Sequence, residues 1–448
     1  MARVVKYTAL LILLAGMVYL FKPEEPQRLT SSGRVRVEFW MATGAHEEFP
    51  VSVRLFNESQ DSIEVVPVAI PWKENEKKIL TAILSGKPPD VISQFSPIGR
   101  WAARRALMPL DAFITRDRFD TTVFYPPLWA EMKWEGKAFG IPSAGSCYGL
   151  FYNRRLFRQA GLDPDRPPRT WEELRRYAER LTLRDERGRI VQAGFIPNYS
   201  ALAAAVVMAF QKGATFRSAD LCSVRLDEAP VVEALRWTVD YYDHYGLAEL
   251  TALHLSCGIN EQHGFNSERV AMMILDNSHV NQIRRFAPHL DYGISLIPCD
   301  AGDRPATQVG SFWLAIPRGA KSAAAAWEFL KFTARMETQL HGFLAEKEPL
   351  VPSNRLVAHQ KAFLERMPQM AIFDSLMYQG FGSSLLPLVH DVFWREYFLA
   401  MEMALNHRLS PEEALRQANQ RVQKQLDEAA EYDQYVRKKM PWENYGQD

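Results

Sequence analysis

The sequence predicts an α/β protein built as two lobes, and three observations predict it. From residue 35 onward, short runs rich in β-formers alternate with helical patterns. That order implies βαβ units and a mainly parallel sheet, because parallel strands need crossover connections. The chain has 448 residues, 47% of them hydrophobic, and one core rarely grows past about 250–300 residues, so two cores are expected. A second set of strands and helices begins after Pro142.

Residues 35–41 (VRVEFWM) alternate and read as the first strand. Residues 50–60 form a helical pattern, 63–69 a second strand and 74–85 a second helix. The turn Gly86-Lys87-Pro88-Pro89-Asp90 introduces a short third strand over 91–94. Beyond Pro142, residues 150–152 are strand-like, 154–160 make a short helix stopped by Gly161, and 171–183 a longer one. Thr170 and Glu173 have the spacing of a capping box at its start. Residues 270–275 and 312–316 read as buried strands, and 320–336 as an Ala-rich amphipathic helix. Ser410 and Glu413 open the last strong helix, expected to reach about residue 431.

Composition narrows the function. The 53 basic and 53 acidic side chains cancel, whereas a nucleic-acid binder carries a basic excess on one face. A neutral small molecule stays open and nucleic acid does not. Cys147, Cys222, Cys257 and Cys299 are far apart, with no C-x-x-C pair for zinc or redox work; they read as small buried thiols, and no pairing follows from their spacing. No metal site or cofactor is expected. Arg3 and Lys6 precede an apolar run over 8–21, closed by Lys22-Pro23-Glu24-Glu25-Pro26. This is the pattern of an export signal, shorter than a comfortable membrane span. It has no Ala-x-Ala site near its end and no Cys after it, so retention as an anchor is the expectation. Residues 1–33 are then signal or anchor and linker.

Six phrases recur in a fixed order and carry a resemblance. They are GKPPDV at 86–91, LMPLD at 107–111, GKAFGIP at 136–142, LFYNRRLFRQAGLDPDRPPRTWEEL at 150–174, FNSERVAM at 265–272 and VGSFWLAI at 309–316. In this order the chain resembles the extracellular solute-binding proteins of the maltose-binding-protein type. It departs from their pattern at Ser267 and at the single glycine of Val309-Gly310-Ser311. The resemblance implies the periplasmic-binding-protein type II fold, two α/β lobes joined by a hinge. It implies a first lobe of residues 34–142 plus about 307–346, and a second of 143–306 plus about 347–448. Gly140 and Pro142 would form the first hinge crossing, with others near 301–308 and 346–352. The mechanism implied is capture by closure around a small ligand, a sugar or oligosaccharide, followed by delivery from a monomer to the permease subunits of an ABC importer.

A carbohydrate cleft combines stacking aromatics with carboxylate and amide groups. Ligands of open α/β sheets sit beyond the carboxyl ends of the strands. On that rule Trp40, Trp72 and Gln94 are candidates from the first lobe, and Tyr152, Asn198, Tyr199, Asp276 and Asn277 from the second. Phe312 and Trp313 begin a strand returning near the hinge. Trp171 and Trp237 read as structural. The rival classes are a membrane-tethered sensor with the same lobes and a carbohydrate-active enzyme. The G-x-S-x-G, Walker A and H-E-x-x-H signatures are absent, and no local pattern marks a paired carboxylate.

Overall fold

The protein is described as a computed structural model over residues 29–43, 49–95, 97–198, 202–382 and 385–439. The N-terminal apolar run, expected from the sequence to be a signal or anchor, lies outside these residues. Strand β1 (Val35–Thr43) is followed by α1 (Val51–Ser59), β2 (Ile63–Pro71), α2 (Trp72–Leu84) and β3 (Val91–Gln94). Both β2 and β3 pair with β1 in parallel, as the alternating order of elements requires. Val37, Phe39 and Met41 face one apolar cluster, while Trp40 packs on another. The sheet is therefore covered on both faces, the usual state of a parallel sheet. Asp90 fastens this layer: its carboxylate accepts from the backbone N–H groups of Glu38 and Ser322, each at 2.9 Å.

Next come α3 (Ile98–Ala103), α4 (Pro126–Glu131) and a hairpin of β4 (Lys133–Trp134) and β5 (Lys137–Ala138). Its turn residues Glu135 and Gly136 have φ of 51° and 77°, the mirror-image turn that matches strand twist. Strand β6 (Ile141–Asn153) then runs 13 residues, about 40 Å at the usual rise. Where the sequence suggests strand only at 150–152, one continuous strand crosses from the first core into the second.

The second lobe holds α5 (Trp171–Leu181), β7 (Leu183–Arg184), β8 (Ile190–Phe195), α6 (Ala204–Gln211), the β9 (Phe216–Arg217) and β10 (Val224–Arg225) hairpin, and α7 (Ala229–Tyr245). The hydroxyl of Thr170 accepts from Glu173 N at 3.1 Å, and the Glu173 carboxylate accepts from Arg169 N at 2.9 Å. The capping box thus forms with its return bond one residue early. Strand β11 (Val270–Asp276) lies antiparallel to β6 and parallel to β8, and β12 (Tyr292–Ser295) also pairs with β6.

Strand β13 (Thr307–Ala315) returns antiparallel to β6 and joins β3. Helix α8 (Ala323–Thr333) then completes the first core, with Phe329 against Phe39 and Phe56. Strand β14 (Val351–Pro352) pairs with β6 at Gly145 and Ala144. Helix α9 (Ala371–Tyr378), β15 (Gly380–Gly382), α10 (His390–Leu405) and α11 (Pro411–Lys439) close the second lobe. Helix α11 runs past the expected residue 431. Ser410 caps its start, and Arg437, Lys438 and Lys439 stand in its last turn, where positive charge suits the helix dipole. The principal sheet order is β2-β1-β3-β13-β6-β11-β8-β7, with β6 and β13 at its centre and shared by both lobes. The four cysteines are free, and of them only Cys147 is buried as expected; Cys257 and Cys299 are partly exposed and Cys222 is exposed.

Candidate ligand cleft

Phe95 follows β3, Phe312 lies on β13 and Trp72 opens α2. Phe312 sits 4.6 Å from Phe95 and 6.0 Å from Trp72, between ring centroids. Trp72 is 44% and Phe95 39% exposed, so this row of rings is open to solvent at both ends. Gly310 makes room for it: a Cβ there would stand 2.9 Å from the Phe95 ring. At its other end Phe95 joins Pro97, Arg100 and Gln308 around a pocket of about 290 Å3. The opposite wall comes from the second lobe: Leu202, Ala203 and Val206 around the start of α6, and His390, Asp391, Trp394 and Phe398 on α10. Trp394 and Phe398 stack on each other with centroids 6.0 Å apart.

Charge within this pocket is paired. Arg100 reaches both carboxylate oxygens of Asp391, at 2.9 and 3.3 Å, and Glu76 at 3.3 Å. Burial pushes His390 down to about 4, so its imidazole is neutral at pH 7. The pocket thus offers ring faces, an amide, a neutral imidazole and an ion pair that spans the lobes. Among the described residues no group of three or more His, Cys, Asp or Glu could hold a metal ion.

The sequence profile of the bacterial extracellular solute-binding proteins matches residues 52–372. The chain belongs to that family. It is a family of binding proteins, not of enzymes. The sn-glycerol-3-phosphate-binding periplasmic protein of Yersinia pestis is 34% identical over 132 residues, covering 27% of this chain and 28% of that relative's length. Among solved structures, a binding protein described as CpMnBP1 with mannotriose bound has a TM-score of 0.71 at 24% identity, covering 87% of this chain and 100% of its own. The sugar-binding protein MalE of Xanthomonas citri has a TM-score of 0.73 at 17% identity, with 89% and 98% covered. These likenesses establish the type II two-lobed fold.

In this solute-binding protein the sequence-derived candidates separate by position. Trp72 and Phe312 stand in the aromatic row. Gln94 is buried, and its Nε2 has no hydrogen-bond partner among the described residues, which leaves a donor at the end of β3. Trp40 is half-buried and donates to the Glu38 carboxylate at 2.6 Å, against the first core and away from the pocket lining. Asp276 ends β11 opposite Tyr148; burial first, and then the Asp276 charge, raise the Tyr148 phenol above its ordinary range. The Asn198 side chain lies against Met401 of α10. Tyr199 falls outside the described residues. Gly140 and Pro142 lie where β6 leaves the first core, and a Cβ on Gly140 would stand 2.7 Å from Ile98.

Three expectations are corrected. Trp313 is 1% exposed and packs edge-on against Trp101, because neighbours on a strand face opposite sides and Phe312 takes the outer one. Tyr152 is buried over Gly293 at the far end of β6; β6 enters the second lobe antiparallel to β11, so its carboxyl end points away from the pocket. Asn277 is fully buried and its amide is used up, accepting from Cys147 N at 3.0 Å and donating to Gly145 O at 3.3 Å. Among the lining residues that the sequence did not yield are Phe95, Arg100, Gln308, His390, Trp394 and Phe398. The run Phe393-Trp394-Arg395-Glu396-Tyr397-Phe398 was the available signal, an aromatic density beyond what one buried helix face uses.

Proposed function

We propose that the protein captures a neutral sugar or short oligosaccharide between its lobes, outside the cytoplasmic membrane, and hands it to the permease of an ABC importer. The observation that carries this reading is one pocket lined on one side by Phe95, the end of the Trp72–Phe312–Phe95 row, and on the other by the stacked Trp394 and Phe398. Sugar rings present C–H faces that stack on such rings, and hydroxyls that suit amides and imidazole. The mannotriose and sugar-binding descriptions of the structural relatives support it. The glycerol phosphate of the Yersinia relative fits less well: a phosphate needs unspent cationic donors, and Arg100 is engaged by Asp391 and Glu76.

The lobes of this reading are residues 34–142 with 307–346, and 143–306 with 347–448, hinged at Gly140–Pro142, near 301–308 and near 346–352. Cleft groups in it are Trp72, Gln94, Phe312 and Asp276 with the pocket lining. The N-terminal apolar segment keeps the protein at the membrane. A thermal-shift screen against sugars, polyols and glycerol phosphates tests it, since a ligand at 100 times its Kd adds about 2.7 kcal/mol of stability. A shift with one carbohydrate class is the expected result. A shift with glycerol phosphates alone, or with no compound on a folded sample, overturns the sugar reading.

A further inference from the structure

Among the described residues that line the pocket, two side chains carry a formal charge, and they answer each other. They are Arg100 of α3 and Asp391 of α10. The neighbouring His390 is neutral at pH 7, because burial holds it down to about 4. Both terminal nitrogens of the Arg100 guanidinium are taken up. Nη1 donates to Asp391 Oδ1 at 3.3 Å, and Nη2 lies 2.9 Å from Asp391 Oδ2 and 3.3 Å from Glu76 Oε1. Glu76 itself is shared with Arg104 at 3.5 Å. The Arg100 side chain is 15% exposed and that of Asp391 68%, so the carboxylate stands on the solvent side of a largely buried cation.

Phosphate recognition uses donors of this kind, a guanidinium fork and the positive end of a helix. Here both are already answered by one carboxylate. Asp391 lies in the first turn of α10, where no side chain caps the helix, and its charge suits the dipole at that end. A phosphorylated solute would have to displace Asp391 or share Arg100 with it. Like charges set side by side in a partly desolvated pocket repel. A neutral sugar needs neither the fork nor the helix end, since its hydroxyls can use Gln308 and His390.

We propose that Asp391 is a specificity-determining residue: it occupies the Arg100 fork and so bars anionic solutes, phosphorylated sugars and polyols among them, from a pocket whose other donors would hold them. Discrimination then comes from a cost set against the wrong solute, more than from a contact with the right one. The proposal rests on the reading of this pocket as the capture site. It does not depend on which neutral sugar is captured.

Asp391→Asn keeps the size of the side chain and removes its charge. Titration calorimetry on the full chain compares sn-glycerol 3-phosphate with glycerol, and glucose 6-phosphate with glucose. In Asp391→Asn, affinity for a phosphorylated compound should rise about tenfold or more over the unaltered chain, with no matching gain for its neutral counterpart. Raising salt toward about 1 M should abolish the gain, and adding Arg100→Met should remove it at any salt. Asp391→Ser, whose hydroxyl suits a helix start, takes its place if Asp391→Asn does not fold. No phosphate gain in a folded variant, or a gain that survives Arg100→Met, overturns the role of Asp391. Neutral-sugar binding without any phosphate gain rejects that role and leaves the sugar reading standing. A phosphate gain in a chain that binds no neutral sugar keeps the role and rejects the sugar reading.

Discussion

Phe312 and Trp313 are adjacent in the chain and opposite in role. Phe312 lies between Trp72 and Phe95, so Phe312→Ala removes the middle of the row. Affinity for the captured sugar should drop about tenfold or more, given that a buried aromatic contact contributes on the order of 1 kcal/mol beyond its area. The melting temperature should hardly move. Trp313→Ala opens a cavity in the first core and should cost about 3–5 kcal/mol in denaturant unfolding. A reversed pattern, with Phe312→Ala unstable and binding intact, would remove Phe312 from the cleft. One buried histidine, His279, and two partly buried ones, His263 and His390, set a pH dependence. Burial lowers His390 and His263 to about 4 and His279 to about 3, from 6.5. In each case the folded state holds fewer protons than the unfolded chain between the two values. Stability therefore stands in full above about pH 6.5 and is lost as pH falls toward 4. Urea midpoints measured at pH 7, 6, 5 and 4 should decline, and His279→Asn should flatten that slope.

At the scale of elements, helix α5 lies on β8 with no space between them. A Cβ on Gly194 would stand 2.3 Å from the Ala178 carbonyl oxygen, a backbone atom that cannot swing aside. Gly194→Ala should cost about 1–3 kcal/mol through forced separation of helix and strand, as overpacking does. Calorimetric melting of the pair would show it, and an unchanged transition would mean the layers can slide. Legibility also differs by element. Strands β1 to β3 and the two capped helices α5 and α11 were readable because period-2 alternation and cap spacing are local. The crossover strand β6 was mostly missed: half of its residues, such as Pro142, Gly145 and Gly149, are poor strand formers. They are held extended by β13 and β14 on one half of the strand, and by β11 and β12 on the other.

For the whole molecule, two lobes sharing β6 and β13 cannot move far except by bending those strands and the β14 connection. Hinging is the motion that topology leaves, on the microsecond-to-millisecond scale. Composition, the order of strands and helices, and six short phrases in sequence determined the two-lobed α/β fold and the solute-binding family. Each of those signals is local or additive along the chain. The sequence also offered ring-bearing residues near strand ends as candidates. Which rings face the cleft was decided only in three dimensions. Alternation says that Phe312 and Trp313 face opposite ways but not which way is out, and the reversed direction of β6 carried Tyr152 away from the pocket. The facing wall on α10 comes from residues some 80 positions beyond β13 in the chain. Only the packing of the second lobe against the first brings Trp394 and Phe398 opposite Phe95.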